Sequence, residues 1–167
     1  ASLCKEFIID DFNNPVTVSS YATKNNISMA VIGPENPLQN GVVDSLWNLG
    51  VGVVGPKKDL AQIETSKTFT RNLLKKYNIP GGPKYKTFKS LDGVKEFLKE
   101  LDKNYVVKFD GLAGGKGVKV SGDHLASHKE ALEYCKELIS KSQPFIIEEK
   151  FIGQEFSLMS FSDGKTL

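Results

Sequence analysis

The chain has few of the residues that build disulfides and metal sites. Its two cysteines, Cys4 and Cys135, lie far apart among 167 residues, so the sequence indicates no disulfide framework and favours reduced thiols in a cytosolic protein. Its two histidines, His124 and His128, stand four residues apart beside Asp123. Neither histidine has a cysteine or glutamate partner at the spacing of a zinc site. We therefore expect no metal ligands in this chain.

The chain also lacks an excess of charge and a long apolar run. Its 22 basic and 20 acidic side chains give a net charge of +2, which offers no electrostatic reason to expect a nucleic-acid partner. No apolar run approaches the roughly 20 residues of a membrane span, and no signal peptide is visible. With 40% hydrophobic and 25% charged residues, the composition is that of one globular domain or two small ones.

The two ends of the sequence are unusual. The chain begins without methionine, and near its end Asp163-Gly164 forms a hairpin signal after an alternating run at residues 156–161. The return strand of that hairpin would stop after only a few residues. We therefore expect a piece of a longer protein.

The most informative stretch is the glycine loop, residues 108–117, which reads K-F-D-G-L-A-G-G-K-G. β-branched runs precede and follow it, so the sequence predicts a loop between two strands. Glycines let backbone N–H groups approach a ligand closely, and lysines add positive charge, a combination that suits a polyphosphate. The candidate ligand groups are the side chains of Lys108 and Lys116 and the backbone at Gly111, Gly114, Gly115 and Gly117.

Two known phosphate-binding motifs do not fit this loop. In a P-loop, Ser or Thr follows the lysine and a helix follows the loop, whereas here Gly117 follows Lys116 and a strand comes next. The dinucleotide fingerprint also requires a helix after its glycines. From the loop alone, a hairpin tip with incidental lysines remains an alternative to nucleotide binding.

The first third of the sequence predicts alternating strands and helices. Helical spacing at residues 15–25 and 38–49, with Gly50 as the stop of the second helix, alternates with short apolar runs. This is the pattern of a βαβ unit with a parallel sheet. The predicted strands are residues 7–9, 29–32 (read as buried) and 51–54, and residues 33–37 form a loop.

The remaining sequence predicts a different architecture. Helices at residues 59–64 and 66–77 lead to a break at residues 78–83, which we interpret as a subdomain boundary. A β-α-β-β-α-β layer with its helices on one face follows, and residues 156–161 begin a further strand. The predicted strands of the layer are 85–88, 105–109, 118–121 and 145–149, and its helices are 91–101 and 127–140.

Three other segments are candidates for a site. An adenine ring needs an apolar slot and backbone hydrogen-bonding groups, and both could come from the end of the strand at 145–149 and the apolar residues after it. Glu155 could reach the ribose. The alternative is a surface strand whose glutamates are solvated. Lys67 is a third candidate cation or a plain surface lysine. The Gly33-Pro34-Glu35 loop leaves the carboxyl end of a parallel strand, where ligands of α/β sheets bind, or is a stiff turn.

Several of these segments occur in an order that resembles one family. The stretches are G-P-E-N-P-L-Q-N-G-V-V-D (33–44), G-P (55–56), E-T-S-K-T-F-T-R-N-L-L (64–74), N-I-P (78–80), V-V-K-F-D-G-L-A-G-G-K-G-V (106–118) and I-I-E-E-K-F-I-G-Q-E-F-S (146–157). Together they closely resemble the glycinamide ribonucleotide synthetases, or phosphoribosylamine–glycine ligases, of the ATP-grasp superfamily. The resemblance covers the chain from about residue 29 onward.

The resemblance implies an activity. In this family ATP and glycine form a glycyl phosphate, which the amine of 5-phosphoribosylamine attacks to give glycinamide ribonucleotide, ADP and phosphate in purine biosynthesis. It implies ATP and Mg²⁺ or Mn²⁺ as cofactors, small-molecule partners with no nucleic acid or membrane, and a cytoplasmic location. The metal ligands are expected outside this chain.

The resemblance also implies an α/β architecture. Residues 1–58 correspond to the end of a parallel βαβ N-terminal substrate domain and residues 59–82 to connecting helices. Residues 83–149 correspond to the α+β lid subdomain of an ATP-grasp fold, and residues 150–167 to the first strand of its large subdomain. Since much of the family's site lies elsewhere, we expect this chain by itself to be inactive.

Site residues follow from the same resemblance, position by position. Two positions of the loop depart from many relatives, which have alanine at Phe109 and Gly114, but neither change removes a lysine or a backbone donor. The implied ATP-binding residues are Lys67, Lys108, Gly111, Gly114, Gly115, Lys116, Gly117, Glu148, Glu149, Lys150, Phe151 and Glu155, and the implied substrate-binding residues are Gly33, Pro34 and Glu35.

Other functions remain open. Another ATP-grasp carboxylate–amine ligase or a biotin-dependent carboxylase fits the lysines and the loop, but the G-P-E-N-P-L stretch disfavours both. A non-catalytic nucleotide-binding module is an alternative of another class. A kinase-like transferase is disfavoured because no catalytic-loop aspartate motif is present.

Overall fold

The computed structural model describes residues 4–114, 117–158 and 160–166. Its first part contains a short parallel βαβ unit, as predicted. β1 and β2 pair in parallel, with Ala30 opposite Val53. The first helix begins where the sequence predicts, because the Asn14 side chain accepts hydrogen bonds from the backbone N–H groups of Val16 and Thr17. The elements are α1 (Pro15–Lys24), β1 (Met29–Val31), α2 (Glu35–Asn40), α3 (Val42–Asn48) and β2 (Gly52–Val54).

Gly41 divides the helix predicted at residues 38–49. Its φ of +84° is left-handed, so α2 ends there and α3 begins at the next residue. The loop predicted at 33–37 is also wrong from Glu35 onward, where α2 already begins. Pro37 is compatible with the helix because it lies in the first turn, where backbone N–H groups have no helical partner.

Two predictions about strands in this part are wrong. Residues 7–9 are irregular and exposed, since no strand among the described residues pairs with them. β1 is not buried: Met29 and Val31 are 68% and 65% exposed. The core of this part lies on the other side of the sheet, where Val42 and Leu46 of α3 pack with Ala22 and Val51.

Two helices, α4 (Lys58–Thr65) and α5 (Lys67–Lys76), connect the parts. Ser66 separates them. Its extended backbone ends α4, and its hydroxyl accepts a hydrogen bond from the Phe69 backbone N–H to cap α5. This cap places Lys67 at the first position of α5.

The second part is the predicted β-α-β-β-α-β layer. Its sheet is antiparallel in the order β3-β6-β4-β5. Helix α6 begins at Val94 rather than at the predicted residue 91, because Gly93 adopts a left-handed φ of +76°. The elements are β3 (Tyr85–Phe88), α6 (Val94–Leu101), β4 (Tyr105–Phe109), β5 (Val118–Val120), α7 (His128–Ser140) and β6 (Phe145–Glu149).

The two faces of this sheet have different partners. Alternate residues of β4 and β6, among them Val107 and Ile147, pack into one core with Leu98 of α6 and Leu138 of α7. The intervening residues therefore project from the opposite face. These are Val106, Lys108, Ile146 and Glu148, with Val106 opposite Glu148 in the register.

The end of the chain does not form the predicted further strand: residues 156–158 and 160–161 are irregular, and the described side chains Phe156, Leu158 and Phe161 are exposed. The described residues contain no helix that is both long and apolar enough to cross a membrane. Both cysteines are free thiols: Cys4 is exposed, and Cys135 lies on the buried side of α7, in the core of the antiparallel layer.

Candidate functional site

The first turn of α5 and the glycine loop are joined by three hydrogen bonds. The Thr68 backbone N–H and the Ser66 hydroxyl both donate to Oδ1 of Asp110, at 3.1 Å and 3.3 Å. The Lys67 ammonium donates to the Gly111 carbonyl oxygen at 3.0 Å. The base of the loop is thereby fixed to the helix that carries Lys67.

A buried carboxylate lies beside this junction. Glu148 of β6 has a side chain only 2% exposed, and it accepts hydrogen bonds from Lys108 of β4 and Arg71 of α5. Lys108 Nζ is 2.6 Å from Oε2, while Arg71 Nε is 2.5 Å from Oε1 and its Nη2 is 3.2 Å from Oε2. Two cations thus share one anion, which leaves a net charge of about +1 on the group at neutral pH.

Burial and charge act in opposite directions on these groups. Burial favours the neutral form of Glu148, but the hydrogen bonds and charges of Arg71 and Lys108 outweigh it and hold the pKa of its carboxyl below the usual range. Burial lowers the pKa of Lys67, and the neighbouring Lys108 adds to this, while Asp110 opposes it. Lys67 is therefore a partly desolvated cation, for which an anionic ligand is a favourable partner.

A cleft of about 430 Å³, here called the α5–loop cleft, opens over this junction. Its volume lies in the range of small-molecule sites. It is lined by residues of α2, α4, α5, the glycine loop and β5, among them Glu35 of α2, Glu64 of α4, Lys67 and Arg71 of α5, and Gly111 and Gly114 of the loop.

Two glycines of the loop, Gly111 and Gly117, lie where a Cβ would meet close neighbours. A Cβ at Gly111 would lie 2.7 Å from the Phe109 ring, and one at Gly117 would lie 3.0 Å from Cβ of Phe109 and of Ala113. The Gly117 carbonyl closes the base of the loop by accepting from the Phe109 backbone N–H at 2.8 Å. Gly115 and Lys116 lie outside the described residues.

The structure therefore brings together several of the predicted residues. Lys67, Gly111, Gly114 and Glu35 line the α5–loop cleft, and Lys108 is linked through the shared Glu148 carboxylate to Arg71, which also lines it. Gly33 and Pro34 immediately precede Glu35, and Pro34 is the extended residue from which α2 begins.

The remaining predicted residues lie away from this cleft within the described part of the chain. Glu149 accepts from the Lys84 backbone N–H at 3.2 Å, and Lys150 Nζ donates to the Ser121 carbonyl at 3.0 Å and to Asp123 at 3.1 Å. Phe151 is 61% exposed, and Glu155 is exposed in the irregular segment after β6.

Sequence reasoning missed Arg71 and Asp110. Arg71 stands four residues after Lys67, a spacing that places both on one face of a helix, so that signal was available. No comparable signal marks Asp110, because its partners at Ser66 and Thr68 lie more than 40 positions away along the chain.

The described residues contain no group of three His, Cys, Asp or Glu side chains placed to hold a metal ion. The two histidines have other contacts: Nε2 of His128 lies 2.7 Å from the Asp102 carbonyl oxygen, and Nδ1 of His124 accepts from the Val120 backbone N–H. The cleft offers the cations Lys67 and Arg71 and the backbone of the glycine loop, beside the carboxylates of Glu35 and Glu64.

Two domain families match the chain along its length. The N domain of phosphoribosylglycinamide synthetase matches residues 1–64, and the ATP-grasp (A) domain of the same enzyme matches residues 65–167. The phosphoribosylamine–glycine ligase of Methanosarcina acetivorans is 47% identical over all 167 residues, and that of Methanosphaera stadtmanae is 44% identical over 171 aligned positions. The chain spans 37% and 39% of the length of these relatives.

Solved structures agree with these family matches. The phosphoribosylamine–glycine ligase of Thermotoga maritima aligns with 62% of this chain and 27% of its own, at a TM-score of 0.54 and 32% identity. The D-alanine–D-alanine ligase of Bacillus anthracis complexed with ATP aligns with 84% of this chain and 46% of its own, at a TM-score of 0.62 and 17% identity, a likeness of fold alone. The resemblance seen in the sequence is confirmed, and the chain belongs to the phosphoribosylglycinamide synthetase family.

Proposed function

We propose that the full-length protein ligates glycine to 5-phosphoribosylamine at the expense of ATP, giving glycinamide ribonucleotide, ADP and phosphate through a glycyl phosphate. The observation that carries this proposal is the 47% identity to a phosphoribosylamine–glycine ligase over the whole chain. Because the chain spans little more than a third of such relatives, the activity is proposed for the complete protein and not for this part alone. The role in purine biosynthesis and a cytoplasmic location belong to the same proposal.

The α5–loop cleft fits the phosphate chain of ATP. Lys67 and Arg71 line it, and Lys108 pairs with the same Glu148 carboxylate as Arg71, which provides three cations in and beside the cleft. The open backbone at Gly114, where nothing lies within 4 Å of a Cβ position, leaves room for close approach of a phosphate oxygen. Charge-assisted contacts of this kind bind and orient phosphates without a side-chain nucleophile.

The remaining assignments extend this site. We place the loop residues Gly111, Gly114, Gly115, Lys116 and Gly117 over the phosphates. The adenine ring is proposed to meet the backbone that follows β6, and the carboxylate of Glu155 the ribose. The segment to which these contacts are assigned comprises the last two residues of β6, Glu148 and Glu149, and the two residues after it, Lys150 and Phe151.

The second substrate is placed near the start of α2. Gly33 and Pro34 lead into this helix, and Glu35 lines the same cleft as Lys67. This arrangement supports a 5-phosphoribosylamine site that adjoins the phosphates, so that the amine and the activated carboxylate meet at one end of the cleft.

ATP, when bound, supplies the phosphoryl group that activates the glycine carboxylate, with Mg²⁺ or Mn²⁺ as its expected metal. The described residues contain no group of three side chains that could hold this metal by themselves. We therefore propose that other parts of the protein hold it. The residues of this chain bind the phosphates and restrict the access of water to them.

The proposed domains follow from the same family architecture. Residues 1–58 form the end of the N-terminal substrate domain, and residues 59–82 form the helices that connect it to the lid. Residues 83–149 form the lid, and the large ATP-grasp subdomain begins with residues 150–167. The lid proposal is supported by the separate core of the antiparallel layer, in which α6 and α7 pack on one face of the sheet.

The test is ADP release by the full-length protein in a coupled assay. We expect release that requires ATP, glycine and 5-phosphoribosylamine together, and none when either substrate is omitted. Turnover with D-alanine or bicarbonate in place of glycine would instead support another ATP-grasp ligase or a carboxylase. ATP binding without turnover on any of them would support a non-catalytic nucleotide-binding module.

A further inference from the structure

Glu148 is in an unusual position for a residue that touches a nucleotide. It is the next-to-last residue of β6, and its side chain, 2% exposed, projects from the sheet face opposite α6 and α7. That face is covered at this point by α5, which contributes Arg71. The carboxylate is therefore enclosed by protein and has almost no surface open to a ligand.

Both of its oxygens are already engaged. Oε1 accepts from Arg71 Nε at 2.5 Å, and Oε2 accepts from Arg71 Nη2 at 3.2 Å and from Lys108 Nζ at 2.6 Å. A carboxylate with this many charged donors in a buried place has little reason to exchange one of them for a neutral hydroxyl or amine of a ligand. The carboxylate therefore acts on its two cationic partners, Arg71 and Lys108.

Those two cations lie in or beside the cleft that is proposed for the phosphates. Arg71 lines the α5–loop cleft one helical turn after Lys67, and Lys108 approaches from β4. Their side chains are 23% and 24% exposed, so each pairs with the carboxylate and still keeps a part of its surface accessible. Long flexible cations lose rotamer freedom when they bind an anion, and a carboxylate that fixes them beforehand removes that cost from binding.

We propose that Glu148 is a positioning residue, which holds Lys108 and Arg71 in place for the phosphate chain of the ligand and does not itself touch the nucleotide. The identity of that ligand as ATP rests on the proposed function. Arg71 is by the same argument a third cation of the site, beside Lys67 and Lys108.

The test is a mutant cycle on ATP affinity in the full-length protein, measured by equilibrium dialysis up to millimolar ATP. In the wild-type background we expect Glu148→Gln to raise the Kd at least tenfold, because it leaves both cations without their partner. In a background that already carries Lys108→Ala and Arg71→Ala, we expect the same Glu148→Gln change to alter the Kd by less than twofold.

A matched control is Glu137→Gln, the same chemical change at an exposed ion pair in which Lys141 Nζ is 2.6 Å from the carboxylate. It should leave the Kd unchanged. The Lys108→Ala and Arg71→Ala background leaves the Glu148 carboxylate buried without a partner, whereas the triple variant leaves no unpaired charge there, so circular dichroism must first show that each variant is folded. If Glu148→Gln alone unfolds the protein, the comparison of those two variants remains.

The outcomes separate the two proposals. An equal loss of affinity on Glu148→Gln in both backgrounds overturns the positioning role and returns Glu148 to direct contact with the nucleotide. An unchanged affinity in the wild-type background overturns any role in binding. If ATP binds tightly and Glu148→Gln changes the Kd as expected in both backgrounds, but the protein does not ligate glycine, only the proposed function is contradicted.

Discussion

The Thr68 backbone N–H donates to Oδ1 of Asp110 at 3.1 Å, and this contact joins the first turn of α5 to the glycine loop. Asp110 thus acts on α5 as a capping residue supplied from elsewhere in the chain, in addition to the local cap by Ser66. The contact sets where the loop begins relative to Lys67.

Replacing Asp110 by alanine should release this junction. We expect a loss of about 0.5–2 kcal/mol of local stability, the usual cost of removing a cap. Peptide-resolved hydrogen exchange should show faster exchange at residues 66–70 and in the loop. Asp110→Asn keeps an acceptor oxygen and should exchange nearly as slowly as the wild type; equal exchange in the alanine variant would show that the contact does not hold the loop.

Lys108→Ala in the full-length protein should weaken ATP binding. A charge-assisted contact contributes about 1.5–3 kcal/mol, which is roughly a 10- to 150-fold rise in Kd. Lys75, exposed on α5, offers a matched control, and Lys75→Ala should bind ATP like the wild type. Unchanged affinity of Lys108→Ala would remove this lysine from the phosphate site.

The Glu148 carboxylate should make folding sensitive to acid. Its pKa in the folded protein lies below the usual range, whereas in the unfolded chain it returns to about 4.3. The stabilisation is therefore fully present above about pH 4.3 and is lost as the pH falls through the folded-state pKa. In urea unfolding, the wild type should be more stable than Glu148→Gln at pH 7, and the gap should shrink at low pH. A gap that does not depend on pH would contradict the ionised pair.

The two cysteines should differ sharply in reactivity. Cys4 is exposed, whereas burial raises the pKa of the Cys135 thiol to about 12, so almost none of it is thiolate at neutral pH. Alkylation followed by mass spectrometry should label the Cys4 peptide in the native protein, and the Cys135 peptide only after denaturation. Rapid native labelling of Cys135 would show that α7 is not packed as described.

The sequence predicted the antiparallel layer better than the rest. The strands Tyr85–Phe88, Tyr105–Phe109 and Phe145–Glu149 have the predicted bounds, because short apolar runs between turn residues have one favourable place in such a sheet. The strands predicted at residues 7–9 and 156–161 have the right composition but no partner among the described strands, and a strand cannot persist without one.

Backbone conformation at single glycines was harder to predict. Gly41 and Gly93 lie inside stretches with continuous helical spacing, yet both adopt a left-handed φ and move a helix boundary. The spacing of apolar side chains does not report φ, so the predicted helices ran through both positions. Gly50, which follows the end of such spacing, was placed correctly as a stop.

The lysines and the loop could be found from the sequence, but their arrangement could not. Residue type and glycine content identified Lys67, Lys108 and the loop as candidates. The sharing of one carboxylate by Arg71 and Lys108 depends on the packing of α5 against β6, across 77 positions of sequence between Arg71 and Glu148. Contacts of that separation are set by the tertiary fold.

The central claim is that the phosphates of ATP lie in the α5–loop cleft. The most direct measurement is a crystal structure of the full-length protein with a non-hydrolysable ATP analogue. We expect phosphate oxygens within hydrogen-bond distance of Lys67 and Lys108, the glycine loop over them, and Glu148 still paired with Arg71. Phosphates bound elsewhere, with Lys67 and Lys108 free of them, would contradict the account.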